Sequence, residues 1–152
     1  MKKKLVYWDS DCFLGLLNKE QDKIKKCQSV IKEAEKGDLM IVTSALTFIE
    51  VIKMKGKKSV PKKTEKIIQS FFLNPFISIH NVDREVGIKA RDLMWKHQGL
   101  RPKDSIHVAT AIIQKIPELH TFDEYLLKLS GKVGNQNFRI CEPYVFQMEM
   151  FD

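Results

Sequence analysis

The sequence predicts an α/β fold: a single domain in which a five-stranded parallel sheet is flanked by helices on both faces. Short apolar runs typical of strands alternate with amphipathic segments typical of helices along the whole chain, and this alternation indicates a parallel sheet. The 152 residues include 43% hydrophobic side chains, enough for one domain with its own core. No repeat or long linker divides the chain, so we expect one domain over residues 1–152.

The first predicted element is a buried strand at Lys4–Trp8, because a short run of aromatic and branched residues is typical of a strand inside a sheet. Polar residues that can cap a helix follow it, so a short helix is expected at Cys12–Asn18. A longer helix is expected at Lys23–Glu35, where apolar residues recur at helical spacing until Gly37 ends the pattern. Leu39–Val42 is the second predicted strand.

Two helices separated by a break are predicted in the middle of the chain. Thr43 and Ser44 are expected to cap a helix that runs to about Met54. Glycine and proline within residues 56–61 then interrupt the pattern. Lys62–Leu73 carries an apolar stripe at helical spacing, which predicts the next helix.

The second half of the chain continues the alternation. Phe76–His80 alternates like a strand, Asp83–His97 has an apolar face at helical spacing, and residues 104–115 form a further predicted helix that Pro117 ends. The remaining elements are a strand at Leu119–Phe122, a helix at Glu124–Leu129, a strand at Phe138–Cys141 and an apolar tail at residues 144–152. The tail is expected to dock on the body of the protein or on a second copy.

The net charge of +7 is concentrated in two lysine clusters, at residues 2–4 and 53–66. Localised positive charge favours a polyanion such as nucleic acid, or an acidic protein partner, with a solvated lysine-rich surface as the alternative. No apolar run is long enough to span a bilayer or to act as a signal-peptide core, so we expect a cytoplasmic protein without membrane association. The three cysteines are far apart without zinc-site spacing, which predicts reduced thiols.

Four carboxylates lie where strands give way to loops or helices. Asp9 follows the first strand, Glu50 lies in the helix after the second, Asp104 opens a helix, and Asp123 follows the fourth strand. An α/β sheet gathers such positions into one crevice at the carboxyl ends of its strands. The acids would repel each other there unless a divalent cation lay among them, and Mg²⁺ and Mn²⁺ prefer such oxygen ligands. The pattern therefore predicts a site for one or two metal ions.

Each of these acids also has a purely structural interpretation. Asp9, Asp104 and Asp123 could each cap the helix that follows, and Glu50 could point to solvent despite its apolar neighbours. Other chemistries lack their motifs, because the chain has no phosphate-binding loop, no dinucleotide fingerprint and no serine-nucleophile elbow. Carboxylates, a divalent metal and a basic flank suit phosphodiester hydrolysis, in which the metal activates water and neutralises charge in the transition state.

Four short motifs follow each other in an order and spacing that together are fairly specific. They are Asp9-Ser10-Asp11, Glu50, Asp104-Ser105-Ile106-His107-Val108-Ala109-Thr110-Ala111 and Thr121-Phe122-Asp123. This pattern resembles the PIN domain and, within it, the VapC-type toxin ribonucleases of toxin–antitoxin pairs. The resemblance implies a Mg²⁺- or Mn²⁺-dependent endoribonuclease with a five-stranded parallel sheet, whose catalytic and metal-binding acids match the four carboxylates. It also implies a homodimer and an acidic or DNA-binding antitoxin that silences the toxin.

Further positions gain expected roles from the resemblance. Ser10 and Thr121 match polar positions that support the acids. Asp11 stands where the family more often has asparagine or another small polar residue, so it is either an additional ligand or a helix cap, and we favour the cap. We expect His107 to be a hydrogen-bonded, partly buried histidine, with contact to substrate or to metal-bound water as the alternative.

Basic and aromatic side chains are the candidates for contact with RNA. The basic candidates for phosphate binding are Lys53, Lys57, Lys58, Lys62, Lys63, Arg101 and Lys103. Plain surface charge is the alternative for each of them. Trp8 and Trp95 could stack on bases, but tryptophan is more often a core residue, and we expect both in the core.

Two other functions are compatible with the same sequence. A PIN-like module could bind RNA or a protein without cutting, although the complete set of acids disfavours that interpretation. A DNA nuclease of the same architecture is the second alternative, although the short chain lacks room for the helical arch that flap-cleaving enzymes of related fold carry. Cleavage of RNA, single-stranded DNA and flap DNA would separate these functions.

Overall fold

A computed structural model describes residues 3–52 and 62–145 of the chain, and the sheet is the element that organises them. Its five strands are β1 (Lys4–Trp8), β2 (Leu39–Ser44), β3 (Ile77–His80), β4 (Glu118–His120) and β5 (Arg139–Cys141). They run parallel in the order β3-β2-β1-β4-β5. The chain therefore builds outwards from β1 in one direction and then returns to add β4 on its other side, which confirms the predicted α/β fold.

Seven helices in the described part of the chain connect these strands. They are α1 (Ser10–Leu17), α2 (Ile24–Glu35), α3 (Thr47–Glu50), α4 (Lys62–Phe72), α5 (Arg84–Lys96), α6 (Pro102–Ile113) and α7 (Glu124–Lys128). No helix among the described residues is both long and apolar enough to cross a membrane.

Alternating side chains of the sheet build a separate core on each face. Val6 and Trp8 of β1 pack with buried residues of α1, α2 and α4. Tyr7 points the other way and packs with α5, α6 and α7. All three side chains are fully buried, as expected for a strand covered on both faces. The helices thus lie on both sides of the sheet as predicted.

The segment after the second strand differs from its prediction. Thr43 and Ser44 belong to β2 instead of capping a helix, because they pair with β3 and the Thr43 hydroxyl donates to the carbonyl oxygen of Trp8 at 2.8 Å. The helix that follows is only the four-residue α3, which begins at Thr47. The predicted end near Met54 and the break within residues 56–61 lie outside the described residues, as does the tail beyond residue 145.

Two further predictions are wrong in informative ways. Trp8 is fully buried, but 69% of Trp95 is exposed, because it lies on the outer surface near the end of α5. Helix α6 begins at Pro102, two residues before the predicted start at Asp104, because proline fits the first turn of a helix. Asp104 therefore does not cap this helix; Arg101 occupies the cap position.

Candidate metal centre

Asp9 lies at the carboxyl end of the central strand and is almost completely buried. It is the N-cap of α1, where its Oδ1 accepts from the backbone N–H of Cys12 at 3.4 Å. Burial, together with the nearby charge of Asp11, raises the pKa of Asp9 from 3.8 to about 7. The charged form of a carboxylate in this environment is unfavourable near neutral pH unless a cation neutralises it.

Asp123 lies beyond the neighbouring strand β4 and plays the same local role. It is the N-cap of α7, and its Oδ1 accepts from the backbone N–H of Leu126 at 2.9 Å. Thr121 fixes the loop between strand and helix, because its hydroxyl accepts from the backbone N–H of Asp123 at 3.0 Å. Thr121 therefore holds the loop that carries Asp123.

Asp104 enters the same region from the first turn of α6. Burial raises its pKa, and the guanidinium of Arg101 opposes that effect. Arg101 donates from Nε to Asp104 Oδ2 at 3.0 Å and from Nη2 to Asp123 Oδ2 at 3.1 Å. One arginine thus joins two of the predicted acids.

Glu50 turns inwards, because a buried histidine holds it. His107 Nε2 hydrogen-bonds to Glu50 Oε1, and His107 Nδ1 lies 2.7 Å from the hydroxyl of Tyr7. Burial raises the pKa of Tyr7, so its phenol keeps the proton and can donate it to Nδ1. That arrangement leaves the Nε2 proton for the Glu50 carboxylate. The alternative in which Glu50 points to solvent is therefore wrong, and His107 is the hydrogen-bonded histidine that was expected.

These side chains converge on one cleft of about 530 Å³. Its lining includes Asp9, Ser10, Asp11, Glu50, Arg101, Pro102, Lys103 and Asp104, and Arg101 connects it to Asp123. Asp11 was expected to cap a helix, but Asp9 occupies that cap and Asp11 lies in the first turn of α1. Burial raises the pKa of Asp11 and Lys23 opposes this, while the charges of Asp123, Asp104 and Glu50 raise it further. Asp11 therefore joins the acidic cluster.

The basic candidates for RNA contact separate into three groups. Arg101 and Lys103 line the cleft. Lys62 and Lys63 are exposed at the start of α4. Lys53, Lys57 and Lys58 lie outside the described residues.

The side chains at the cleft suit a divalent cation of the hard type. Four of the side chains that line the cleft are carboxylates, the ligands that Mg²⁺ and Mn²⁺ prefer. Asp9 and Asp123 each use Oδ1 to cap a helix, and Glu50 uses Oε1 to bind His107. The second oxygen of each carboxylate takes no part in these bonds. Burial raises the pKa values of Asp9, Asp11 and Asp104, so a cation at the cleft would favour their charged forms.

The family is settled by sequence comparison, because the model of the PIN domain matches residues 6–132. The chain belongs to the PIN-domain family. No curated protein matches it in sequence.

Solved structures share the fold of this PIN domain at low sequence identity. Mycobacterium tuberculosis VapC20, a toxin that cleaves the sarcin-ricin loop, is 12% identical with a TM-score of 0.62, over 78% of this chain and 89% of that one. A toxin–antitoxin complex from Klebsiella pneumoniae is 18% identical with a TM-score of 0.59, over 93% and 99% of the two chains. VapBC2 from Rickettsia felis, bound to a DNA fragment from its promoter, is 14% identical with a TM-score of 0.62, over 90% and 96%.

The PIN domain also contains a buried polar cluster that the sequence had not indicated. Glu118 of β4 accepts from His120 at 2.9 Å, from Arg139 at 2.9 Å and from Tyr144 at 3.0 Å, and it pairs with Lys4 at 3.1 Å. Glu118 and His120 are two residues apart on a strand and so share a face, which is the one sequence signal that could have suggested it.

The ligand atoms of Glu118, His120 and Cys141 lie within 4.8 Å of one another, a spacing that a metal ion could use. Trp8 Nε1 donates to His120 Nδ1 at 3.3 Å, so the proton of the neutral ring is on Nε2, facing Glu118. Lys4 and Arg139 already neutralise the carboxylate. These contacts make the cluster a structural ion network.

Proposed function

We propose that this PIN domain, over residues 1–152, is a Mg²⁺- or Mn²⁺-dependent endoribonuclease that acts in the cytoplasm as the toxin of a toxin–antitoxin pair. The observation that carries the proposal is the convergence of Asp9, Glu50 and Asp104 on one cleft, with Asp123 joined to it through Arg101. The likeness in fold to VapC20 and to two toxin–antitoxin complexes supports the same function.

The four acids would hold the metal, each from a position that the fold makes rigid. Asp9 and Asp123 are fixed as helix caps at the ends of neighbouring strands. Glu50 is fixed through His107 to the core residue Tyr7. Such anchored side chains bring their charges together without reorganisation when a ligand arrives. The bound cation supplies the positive charge that polarises a phosphodiester and activates water.

Asp11, Ser10 and the basic residues at the rim have separate proposed roles. Asp11 lines the same cleft as Asp9, Glu50 and Asp104 and would contribute an additional carboxylate, either to the cation or to a water molecule beside it. Ser10 lines the cleft next to Asp9. Lys103 faces the same cleft and would contact RNA phosphates, since lysine binds phosphate as a point charge. The exposed Lys62 and Lys63 would extend that basic surface.

Cleavage of a labelled RNA pool tests the proposal. We expect discrete products with Mg²⁺ or Mn²⁺ and none with a chelator. Asp104→Asn should reduce cleavage by at least about 100-fold, because it removes one charged ligand from the site. Asp22→Asn is the matched control, since Asp22 is exposed and is not part of the cleft.

The other outcomes distinguish the alternatives. RNA that is retained but never cut would favour a non-catalytic binding module. Cleavage of single-stranded or flap DNA in place of RNA would favour a DNA nuclease on the same architecture. Products that persist with chelator, or undiminished cleavage by Asp104→Asn, would rule out the metal mechanism.

The proposed assembly is a homodimer that an acidic or DNA-binding antitoxin silences. A groove between α5 and α6 includes Met94, Ile106 and the exposed Trp95, and apolar surface of this kind is typical of protein interfaces. We expect light scattering to give the mass of a dimer for the wild type and of a monomer for Trp95→Glu. Ile67→Glu, at an exposed position of α4 on the other face of the sheet, is the control. A monomeric wild type would contradict the dimer.

A further inference from the structure

Arg101 is a cation inside the acidic site. Its Nε and Nη2 reach Oδ2 of Asp104 and Oδ2 of Asp123, at 3.0 and 3.1 Å. These two acids come from different elements, the first turn of α6 and the cap of α7. The guanidinium therefore spans the gap between α6 and α7, where its positive charge opposes the negative charge of the two carboxylates.

Arg101 takes the oxygen of Asp123 that a metal ion would need. Asp123 commits Oδ1 to the backbone N–H of Leu126, so Oδ2 is the oxygen that remains for another partner. Arg101 hydrogen-bonds to that atom. A divalent cation held by Asp104 and Asp123 would therefore compete with the guanidinium for Asp123 Oδ2 and for the negative charge of Asp104.

The ion pairs of Arg101 with Asp104 and Asp123 can be displaced by another cation. Arg101 is 71% exposed, whereas the side chains of Asp104 and Asp123 are 16% and 22% exposed. An exposed ion pair contributes little to stability, because water screens it and holding the long side chain costs entropy. Arg101 can therefore leave while the two acids stay in place, Asp123 through its cap and Asp104 within the helix.

We infer that Arg101 is a displaceable stand-in for the metal cation. When a divalent ion binds, the guanidinium of Arg101 moves from the two acids to an RNA phosphate. This inference rests on the proposed function and identifies how its site is regulated. Arginine suits both positions, since its planar fork can bind two carboxylate oxygens or two phosphate oxygens. Lys103, also at the cleft, lacks this fork.

The inference predicts two effects of opposite sign in one variant. Arg101→Gln removes the competitor, so calorimetry should show Mn²⁺ binding to the apo protein about fivefold more tightly, as expected for the loss of an exposed ion pair. The same variant loses a phosphate contact, so at saturating Mn²⁺ its KM for RNA should rise severalfold. A residue with only a structural role would not tighten metal binding while weakening substrate binding.

Two further variants make the test specific. Arg101→Lys keeps the charge but loses the fork that bridges both acids, so its Mn²⁺ affinity should fall between those of the wild type and Arg101→Gln. Arg84→Gln removes an exposed arginine at the start of α5 and should change neither quantity.

The outcomes separate this inference from the function on which it rests. Wild-type protein that binds Mn²⁺ with the same affinity as Arg101→Gln, or more tightly, would overturn the stand-in role and leave the metal site intact. An unchanged KM in Arg101→Gln would overturn the transfer to phosphate. Absence of Mn²⁺ binding by both proteins would overturn the metal site together with the role of Arg101.

Discussion

Asp9→Asn is expected to abolish RNA cleavage and at the same time to make the apo protein more stable at neutral pH. The loss of cleavage should be about 100-fold or more, because the variant removes the most buried carboxylate of the proposed metal site. The gain in stability follows from burial and from repulsion by Asp11, both of which disfavour the charged form of Asp9. An asparagine carries no charge, and its Oδ1 can still accept from the N–H of Cys12.

The pH dependence of the effect follows from the direction of the pKa shift. The folded pKa of Asp9, about 7, lies above its ordinary value of 3.8. The folded state therefore binds the proton more tightly than the unfolded state, and this contribution to stability is fully present below pH 4 and is lost as pH rises to 7. Asp9→Asn lacks this loss, so its free energy of unfolding relative to the wild type should rise over that interval by about 4 kcal/mol, at about 1.4 kcal/mol per unit of pKa shift.

Chemical denaturation from pH 4 to pH 8 without metal measures the stability, and a second series with Mn²⁺ completes the test. Mn²⁺ should stabilise the wild type and have much less effect on Asp9→Asn, since a ligand stabilises the state that binds it. Asp22→Asn should follow the wild type throughout. An Asp9→Asn protein that is less stable than the wild type at pH 8 without metal would count against a strained cluster of acids.

The convergence of the acids could be predicted because it depends on topology. Once strands and helices alternate, the ends of parallel strands meet at one edge of the sheet, and β1 and β4 are neighbours there. Asp9 and Asp123 follow from that rule without any knowledge of side-chain contacts. The sequence posed their capping and metal-binding interpretations as alternatives, but the structure makes them compatible. One oxygen of each residue caps a helix, and the cap orients the other oxygen.

The remaining parts of the site depend on contacts between distant residues. Glu50 is directed inwards by His107, which is 57 residues away in sequence. Tyr7 in turn hydrogen-bonds to the other ring nitrogen of His107. No local pattern contains this information. Trp95 shows the reverse error, because the expectation that it is buried came from its residue type alone, which does not show which face of a helix a side chain occupies. Arg101 was a phosphate candidate by its charge alone, and its pairing with two acids appears only in three dimensions.

Glu118→Gln is expected to destabilise the fold without touching the acidic cleft. Glu118 is the shared acceptor of a network that ties β4 to β1 through Lys4, to β5 through Arg139, and to the segment after β5 through Tyr144. Burial raises the pKa of Glu118, but the hydrogen bonds from His120, Arg139 and Lys4 together outweigh burial and hold the pKa well below its ordinary value. The charged form is therefore the one that the folded protein stabilises.

Glu118→Gln is expected to lower the free energy of unfolding by about 2–3 kcal/mol at neutral pH. Removing one partner of a buried ion pair costs more than that, but the side chains of Lys4 and Arg139 are 35% and 54% exposed, so water compensates part of the loss. Because the folded pKa is lowered, the contribution of Glu118 is present above pH 4.5 and is lost as pH falls further. The wild type and the variant should therefore approach each other in acid.

Thermal melts of Glu118→Gln and Glu142→Gln at neutral and acidic pH separate this network from surface charge in general. Glu142 lies close to Glu118 in the fold, at the end of β5, but it is 46% exposed and its pair with Lys26 is longer, at 3.6 Å. Glu142→Gln should therefore change the free energy of unfolding by no more than about 0.5 kcal/mol. Equal melting temperatures for the two variants would mean that the Glu118 network contributes no more than an exposed pair. A large loss of stability confined to Glu118→Gln, with Mn²⁺ affinity unchanged, would instead show that the Glu118 network and the acidic cleft are stabilised independently.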